Sequence, residues 1–171
     1  MNFKQILLLI FTAITMGFIL MSLYSDLAED DLNFLSDHNI ETGFVGKVID
    51  GDTVVINGES VRLLGIDSNE KGEDCFNEAK EKMEELVLNK DVEMERDGDN
   101  KDQYGRLLKY LFVDINGERV NVQLKMVEDG LAIARFYDSR KYKEEIILAE
   151  KTARKNKVGC KWVGLEINSP L

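Results

Sequence analysis

The feature that most constrains this chain is a succession of three short β-rich segments with a tight-turn dipeptide in each gap. Residues 44–49 read F-V-G-K-V-I, 53–56 read T-V-V-I, and 60–66 read S-V-R-L-L-G-I. Asp50-Gly51 lies in the first gap and Asn57-Gly58 in the second. Dipeptides of this kind accept the positive φ angles that close a two-residue hairpin, so the three segments are expected to form an antiparallel meander.

The rest of the chain extends the pattern. Residues 73–89 place Phe76, Ala79, Met83 and Leu86 on one helical face. A short strand is expected at 92–95, a polar loop at 97–104, and a long strand at 106–115 turned by Asn116-Gly117. A helix over 120–129 ends at Gly130, residues 131–137 are extended or irregular, and Ser139 caps a last helix reaching 157 with Tyr142, Ile146, Ala149 and Ala153 on one face. Three strands, a helix, two strands and further helices describe an α+β, mainly β chain. The arrangement is a five-stranded OB-fold barrel with three helices. Such barrels often bind oligonucleotides or oligosaccharides, but the fold alone does not assign a function.

Charge divides the chain. Residues 6–24 carry no charged side chain, a length close to the roughly 20 residues that span a hydrocarbon core. Lys4 precedes the run and Asp26, Glu29, Asp30 and Asp31 follow it, so positive charge is expected to stay cytoplasmic and the remainder to face outside. The run reads as an uncleaved signal anchor, with a cleaved signal peptide as the alternative. The expected organisation is an anchor or signal at 1–25, a polar linker at 26–42 containing the single histidine, His38, a folded domain at 43–165 and a tail at 166–171. The whole chain has a formal net charge of −10, but residues 42–171 hold 21 basic and 26 acidic residues, a net of −5. That balance excludes a polybasic nucleic-acid binder without excluding local cationic clusters. One His and two Cys exclude a four-ligand zinc site of those residues, so any metal is expected to be held by oxygen.

Several polar residues are candidates for chemistry. A hairpin closed at Asn57-Gly58 sets the start of the second strand opposite the end of the third, bringing Asp52 and Asp67 to one sheet edge. Two hard carboxylates there suit Ca²⁺ or Mg²⁺. Arg62 lies within the third strand and Arg106 opens the strand after Asp102-Gln103-Tyr104-Gly105. Guanidinium groups bind two oxygens at once and stay charged, which suits a phosphodiester under attack. Glu70 is placed to orient or deprotonate water. Taken one by one, each of these residues is equally at home in a turn or on a solvated surface.

Three ordered motifs carry a resemblance: Val48-Ile49-Asp50-Gly51-Asp52-Thr53, Arg62-Leu63-Leu64-Gly65-Ile66-Asp67-Ser68-Asn69-Glu70, and Asp102-Gln103-Tyr104-Gly105-Arg106. Together they resemble the thermonuclease (staphylococcal nuclease) family over residues 43–162. The resemblance implies an OB barrel and a Ca²⁺-dependent endonuclease acting on DNA and RNA to leave 3′-phosphates. It implies Asp52 and Asp67 as metal carboxylates with the Ser68 carbonyl, Glu70 as the water-activating residue, and Arg62 and Arg106 as catalytic phosphate ligands. It further implies Tyr104 as a contact to the substrate phosphate, and Phe136 or Tyr137 in the place of a nucleotide-stacking tyrosine, with Tyr137 taken as the substrate contact. This chain departs from the family in having Ser68-Asn69 where Thr-Pro is common, and Gln103 where a lysine is usual.

Cys75 and Cys160 are expected to pair as a disulfide in an extracytoplasmic domain, the alternative being two free thiols. The protein is expected to be a monomer whose partners are its DNA and RNA substrates and, through residues 6–24, a membrane. A catalytically silent OB module binding nucleic acid or protein is the competing reading, and a Ca²⁺-stabilised surface domain is a third.

Overall fold

The computed structural model describes residues 2, 4–5, 14–22, 40–137 and 141–163. The chain divides into two units, Met1–Asn39 and Ile40–Leu171. In the first, residues 14–22 are helical and exposed. Among the described residues no helix is long and apolar enough to cross a membrane. Residues 6–13 and 23–24 of the expected anchor lie outside the described residues, as do His38, Ser139 and the 166–171 tail.

The second unit is built on strands β1 (Ile40–Val48), β2 (Thr53–Ile56), β3 (Glu59–Leu63), β4 (Ile66–Asp67), β5 (Asp91–Glu95), β6 (Leu107–Ile115), β7 (Glu118–Asn121) and β8 (Ile133–Ala134). Its helices are α1 (Phe76–Val87), α2 (Val122–Glu128) and α3 (Lys143–Asn156). The sheet order is β3-β2-β1-β5-β6-β7, and a parallel β3–β6 pairing closes the first five of these into a barrel. Closure removes the exposed edges that an open sheet of these strands would present. Asn57 and Asn116 each take positive φ beside a glycine, as the hairpins β2–β3 and β6–β7 require. The interior is filled by alternate strand residues such as Val54, Ile56, Val61, Leu63 and Leu111, with Ala79 and Met83 of α1 and Met126 of α2.

Three expectations are corrected. The expected strand at 60–66 breaks at Leu64-Gly65: β3 stops at Leu63, and β4 pairs with β8 in a separate two-stranded sheet. Gly65 has φ +77°, and a Cβ there would lie 2.8 Å from the Phe136 ring, so the turn needs a residue without a side chain. The helix expected over 120–129 starts at Val122, because 118–121 pair as β7 across the Asn116-Gly117 turn and Asn121 caps the helix through its side chain (3.0 Å to the Leu124 N–H). α1 and α3 begin later than the expected starts at 73 and after Ser139: their N-caps are the left-handed Cys75 and Tyr142.

Two polar features tie the layers together. Gln123 is fully buried. Its amide donates to the Lys109 carbonyl (3.0 Å) and its oxygen accepts from the Leu111 N–H (3.1 Å), docking α2 onto β6. Cys75, before α1, and Cys160, beyond α3, form a disulfide with Cα atoms 5.4 Å apart.

Candidate functional site

The break after β3 builds the site. Thr53 pairs with Arg62, so Asp52 lies opposite Leu63, whose N–H donates to the Asp52 carbonyl at 2.8 Å. Asp67 does not continue that strand; it returns to the sheet edge only after the Leu64-Gly65 turn. Arg62 rivets this turn together. Its Nη1 donates to the carbonyls of Leu63 (2.9 Å) and Ile66 (3.0 Å), its Nη2 to Asp67 Oδ1 (2.8 Å), and its Nε faces Asp52 Oδ1 at 3.2 Å. Asp52 is buried and also accepts from the Thr53 hydroxyl (3.1 Å) and the Ser68 N–H (2.6 Å). The two acids therefore converge, through a shared arginine and a turn rather than across a straight hairpin. Beside them, burial pushes the Asp50 carboxyl up, and the Asp52 charge adds to the effect.

The loop before β6 supplies the opposite wall. Asp102 Oδ1 accepts the N–H groups of Tyr104 (2.9 Å) and Arg106 (3.0 Å), and its Oδ2 accepts Arg106 Nε at 2.7 Å. Burial works to raise the Asp102 carboxyl, but the hydrogen bonds from Arg106 and Tyr104 hold it below the usual carboxylate range. The Arg106 guanidinium lies 5.5 Å from the Tyr104 ring, which is 75% exposed.

Between these walls is a cleft of about 720 Å³ whose lining includes Arg62, Asp67, Glu70, Tyr104, Arg106 and Tyr137. Asp52 and Ser68 are buried and are not part of that lining. Glu70 is exposed, and its N–H donates to Glu73 Oε2 at 2.9 Å.

Two cations escaped the sequence reading. Arg135 donates through Nη1 to Asp67 Oδ2 (3.0 Å) and through Nε to the Tyr137 hydroxyl (2.9 Å). It arrives there because Ile66 pairs with Ala134 and the Arg135 N–H donates to the Gly65 carbonyl. A two-residue pairing of this kind leaves no periodic signal. Lys161, next to the disulfide, has its ammonium pKa lowered by burial, and the charges of Asp67, Glu73, Asp52 and Glu150 act against that shift.

The donor set suits a hard divalent cation. It is all oxygen, and carboxylate oxygens have two acceptor positions each, so Asp52 and Asp67 keep acceptor capacity beside their protein partners. Among the described residues no group of three or more acidic, His or Cys side chains is placed to hold a metal. Two carboxylates would thus need a backbone carbonyl and water to complete a coordination shell.

The family model described as staphylococcal nuclease homologue matches residues 60–162. The chain belongs to the staphylococcal nuclease family. A thermonuclease of Staphylococcus hyicus is 34% identical over 134 residues, covering 72% of this chain and 77% of that protein. A thermonuclease of Staphylococcus intermedius is 35% identical over 133 residues, 69% and 74% of the two chains. Endonuclease YncB of Bacillus subtilis is 37% identical over 125 residues, 66% of this chain and 57% of that one. In this member of the staphylococcal nuclease family, Arg62, Asp67, Ser68, Glu70, Tyr104, Arg106 and Tyr137 all fall inside the matched span. Asp52 precedes that span and enters the site through the β2–β3 register.

Proposed function

We propose that this protein is a calcium-dependent endonuclease that hydrolyses DNA and RNA to leave 3′-phosphate ends. Its family and its thermonuclease relatives make it a hydrolase of phosphodiester bonds. One observation carries the finer reading: Arg62 gathers Asp52 and Asp67 at the edge of a cleft that also contains Glu70, Tyr104 and Arg106.

In this reading Asp52, Asp67 and the Ser68 carbonyl hold Ca²⁺, which neutralises charge at the phosphoryl oxygens when bound. Glu70, exposed at the cleft, accepts a proton from water, whose oxygen attacks phosphorus; the P–O5′ bond breaks, the phosphate stays on the 3′ side, and the departing 5′-oxygen takes a proton from solvent. Arg62 and Arg106 donate to phosphoryl oxygens as their charge grows, which lowers the barrier more than it tightens ground-state binding. Tyr104 and Tyr137 contact the strand. A silent binding module has no use for Glu70 in such a place, and the full set of charged groups favours the enzyme.

The protein is further proposed to act as a monomer outside the cell, held by residues 6–24 or released after cleavage. The charge asymmetry around that run and a disulfide suited to an oxidising compartment support this placement.

The deciding experiment is cleavage of single-stranded DNA and RNA by the full chain, with Ca²⁺ and then with chelator. We expect cleavage with Ca²⁺, little with chelator, and 3′-phosphate termini by end-group analysis. Undiminished cleavage in chelator would remove the metal assignment, and no cleavage of either substrate would remove the enzyme.

A further inference from the structure

The cleft is not cationic overall: its lining has five carboxylates against four cationic side chains. A polyanion is therefore drawn in only by cations whose N–H groups are open to it. Arg62 is poorly suited to that first contact. Four hydrogen bonds and ion pairs to Asp52, Leu63, Ile66 and Asp67 occupy its nitrogens, and its side chain is 16% exposed. Arg106 engages Asp102 through Nε, and no contact of its two terminal nitrogens appears among the described residues. Arg135 is similar. Nε and Nη1 are held by Tyr137 and Asp67, Nη2 has no partner among the described residues, and the side chain is 52% exposed.

We propose that Arg135 is a substrate-binding residue that donates to a phosphate of the nucleic-acid strand in this cleft. The inference rests on the nuclease reading and deepens it. Two partners fix the orientation of the guanidinium, so little side-chain freedom is lost when a phosphate meets the remaining N–H groups. Asp67 and Tyr137 act as its supports, and Arg106 holds the facing wall. An incoming phosphate thus first meets two outward guanidiniums, and Arg62, tied to the acids beneath, is left for the phosphoryl group under attack.

The test uses the full chain carrying Arg135→Ala, Arg135→Lys or Arg135→Gln. Two quantities are read: KM and kcat for a single-stranded DNA oligonucleotide with Ca²⁺, and the salt dependence of oligonucleotide binding in chelator by fluorescence anisotropy. For Arg135→Ala we expect KM to rise about tenfold, as for loss of one charge-assisted hydrogen bond, with kcat within about twofold. The slope of log K against log salt should shrink by about 0.7, one phosphate contact on a single strand. Arg135→Lys should restore the slope but only part of KM, because the fork is lost. If circular dichroism finds Arg135→Ala unfolded, the Gln variant supplies the same two readouts for a side chain without charge.

An unchanged slope with unchanged KM overturns the proposal. So does an unchanged slope with lowered kcat or weakened Ca²⁺ binding by calorimetry, since Arg135 would then only position Asp67. A wild-type chain that neither binds nor cleaves the oligonucleotide overturns the nuclease reading and this inference with it. A wild-type chain that cleaves beside a variant of unchanged slope removes the inference alone.

Discussion

The two walls of the cleft use the same kind of side chain in opposite ways. On the β3–β4 wall, Arg62 makes four contacts, to Asp52, Asp67 and two carbonyls, so the guanidinium is part of the fold. On the loop wall, Arg106 gives one nitrogen to Asp102 and keeps a third of its side chain exposed. The difference teaches that the two arginines are built into the fold to different degrees: Arg62 is also part of the scaffold, whereas Arg106 is held by a single carboxylate. The largest effect that can break this comparison is on rate. Arg62→Ala and Arg106→Ala are each expected to lower kcat by several orders of magnitude, because in the proposed mechanism each removes a donor to a charged phosphoryl group. Only Arg62→Ala should also unsettle the fold, by about 3 kcal/mol, because it leaves the buried Asp52 carboxylate without its counter-ion. Urea unfolding of both variants checks it, and equal midpoints would show that the two walls do not differ in this way.

The disulfide sharpens the same contrast on the side of Arg62. Cys75 closes the loop that begins at Ser68 and includes Glu70, and it joins that loop to Cys160, 85 positions away. In the chain-entropy account, a cross-link of that span stabilises by about 4 kcal/mol. The Cys75→Ser/Cys160→Ser double variant is expected to lose about that much, measured as a drop in urea midpoint. Below the new transition the cleft should persist, because the Arg62 contacts do not involve either cysteine. A large loss of kcat at temperatures where the variant stays folded would mean that the cross-link also aims Glu70.

The two walls were not equally legible in the sequence. The β2–β3 hairpin and its Asn57-Gly58 turn are local, and turn chemistry and alternation marked them together with Asp52 and Arg62. The Leu64-Gly65 break was hidden, because Ser60 through Ile66 carry no turn dipeptide and read as one β-rich segment. The break shows in the structure as the positive φ at Gly65 and the pairing of β4 with β8. Arg135 was missed for a related reason: its place depends on the β4–β8 pairing, a contact between segments far apart in sequence with too few residues to form a pattern. The first two residues of the helix expected over 120–129 belong to β7, because hydrogen bonding across the Asn116-Gly117 turn decides the matter. The disulfide was legible as a pairing of two cysteines, but not its position at the end of the Glu70 loop.

The smallest expected effect concerns what supports the loop wall from below. The buried Glu95 carboxylate accepts from the Tyr142 hydroxyl (2.7 Å) and pairs with Lys141, whose own N–H donates to Asp97 at the start of the loop (2.8 Å). Burial, then the hydrogen bond to Glu95 and its charge, push the Tyr142 phenol up to about 12. A phenol whose pKa is raised on folding stabilises the folded chain in its protonated form. That contribution is complete below the unfolded value near 10 and is lost as pH rises from there toward 12. Because much of the group meets solvent, the change in Tm over this interval should be only a few degrees beyond that of the other titrating groups. Tyr142→Phe should remove this part of the alkaline slope while leaving the stability of the Arg62 wall unaltered at neutral pH. Identical alkaline slopes for wild type and Tyr142→Phe would mean that the loop wall does not depend on this phenol.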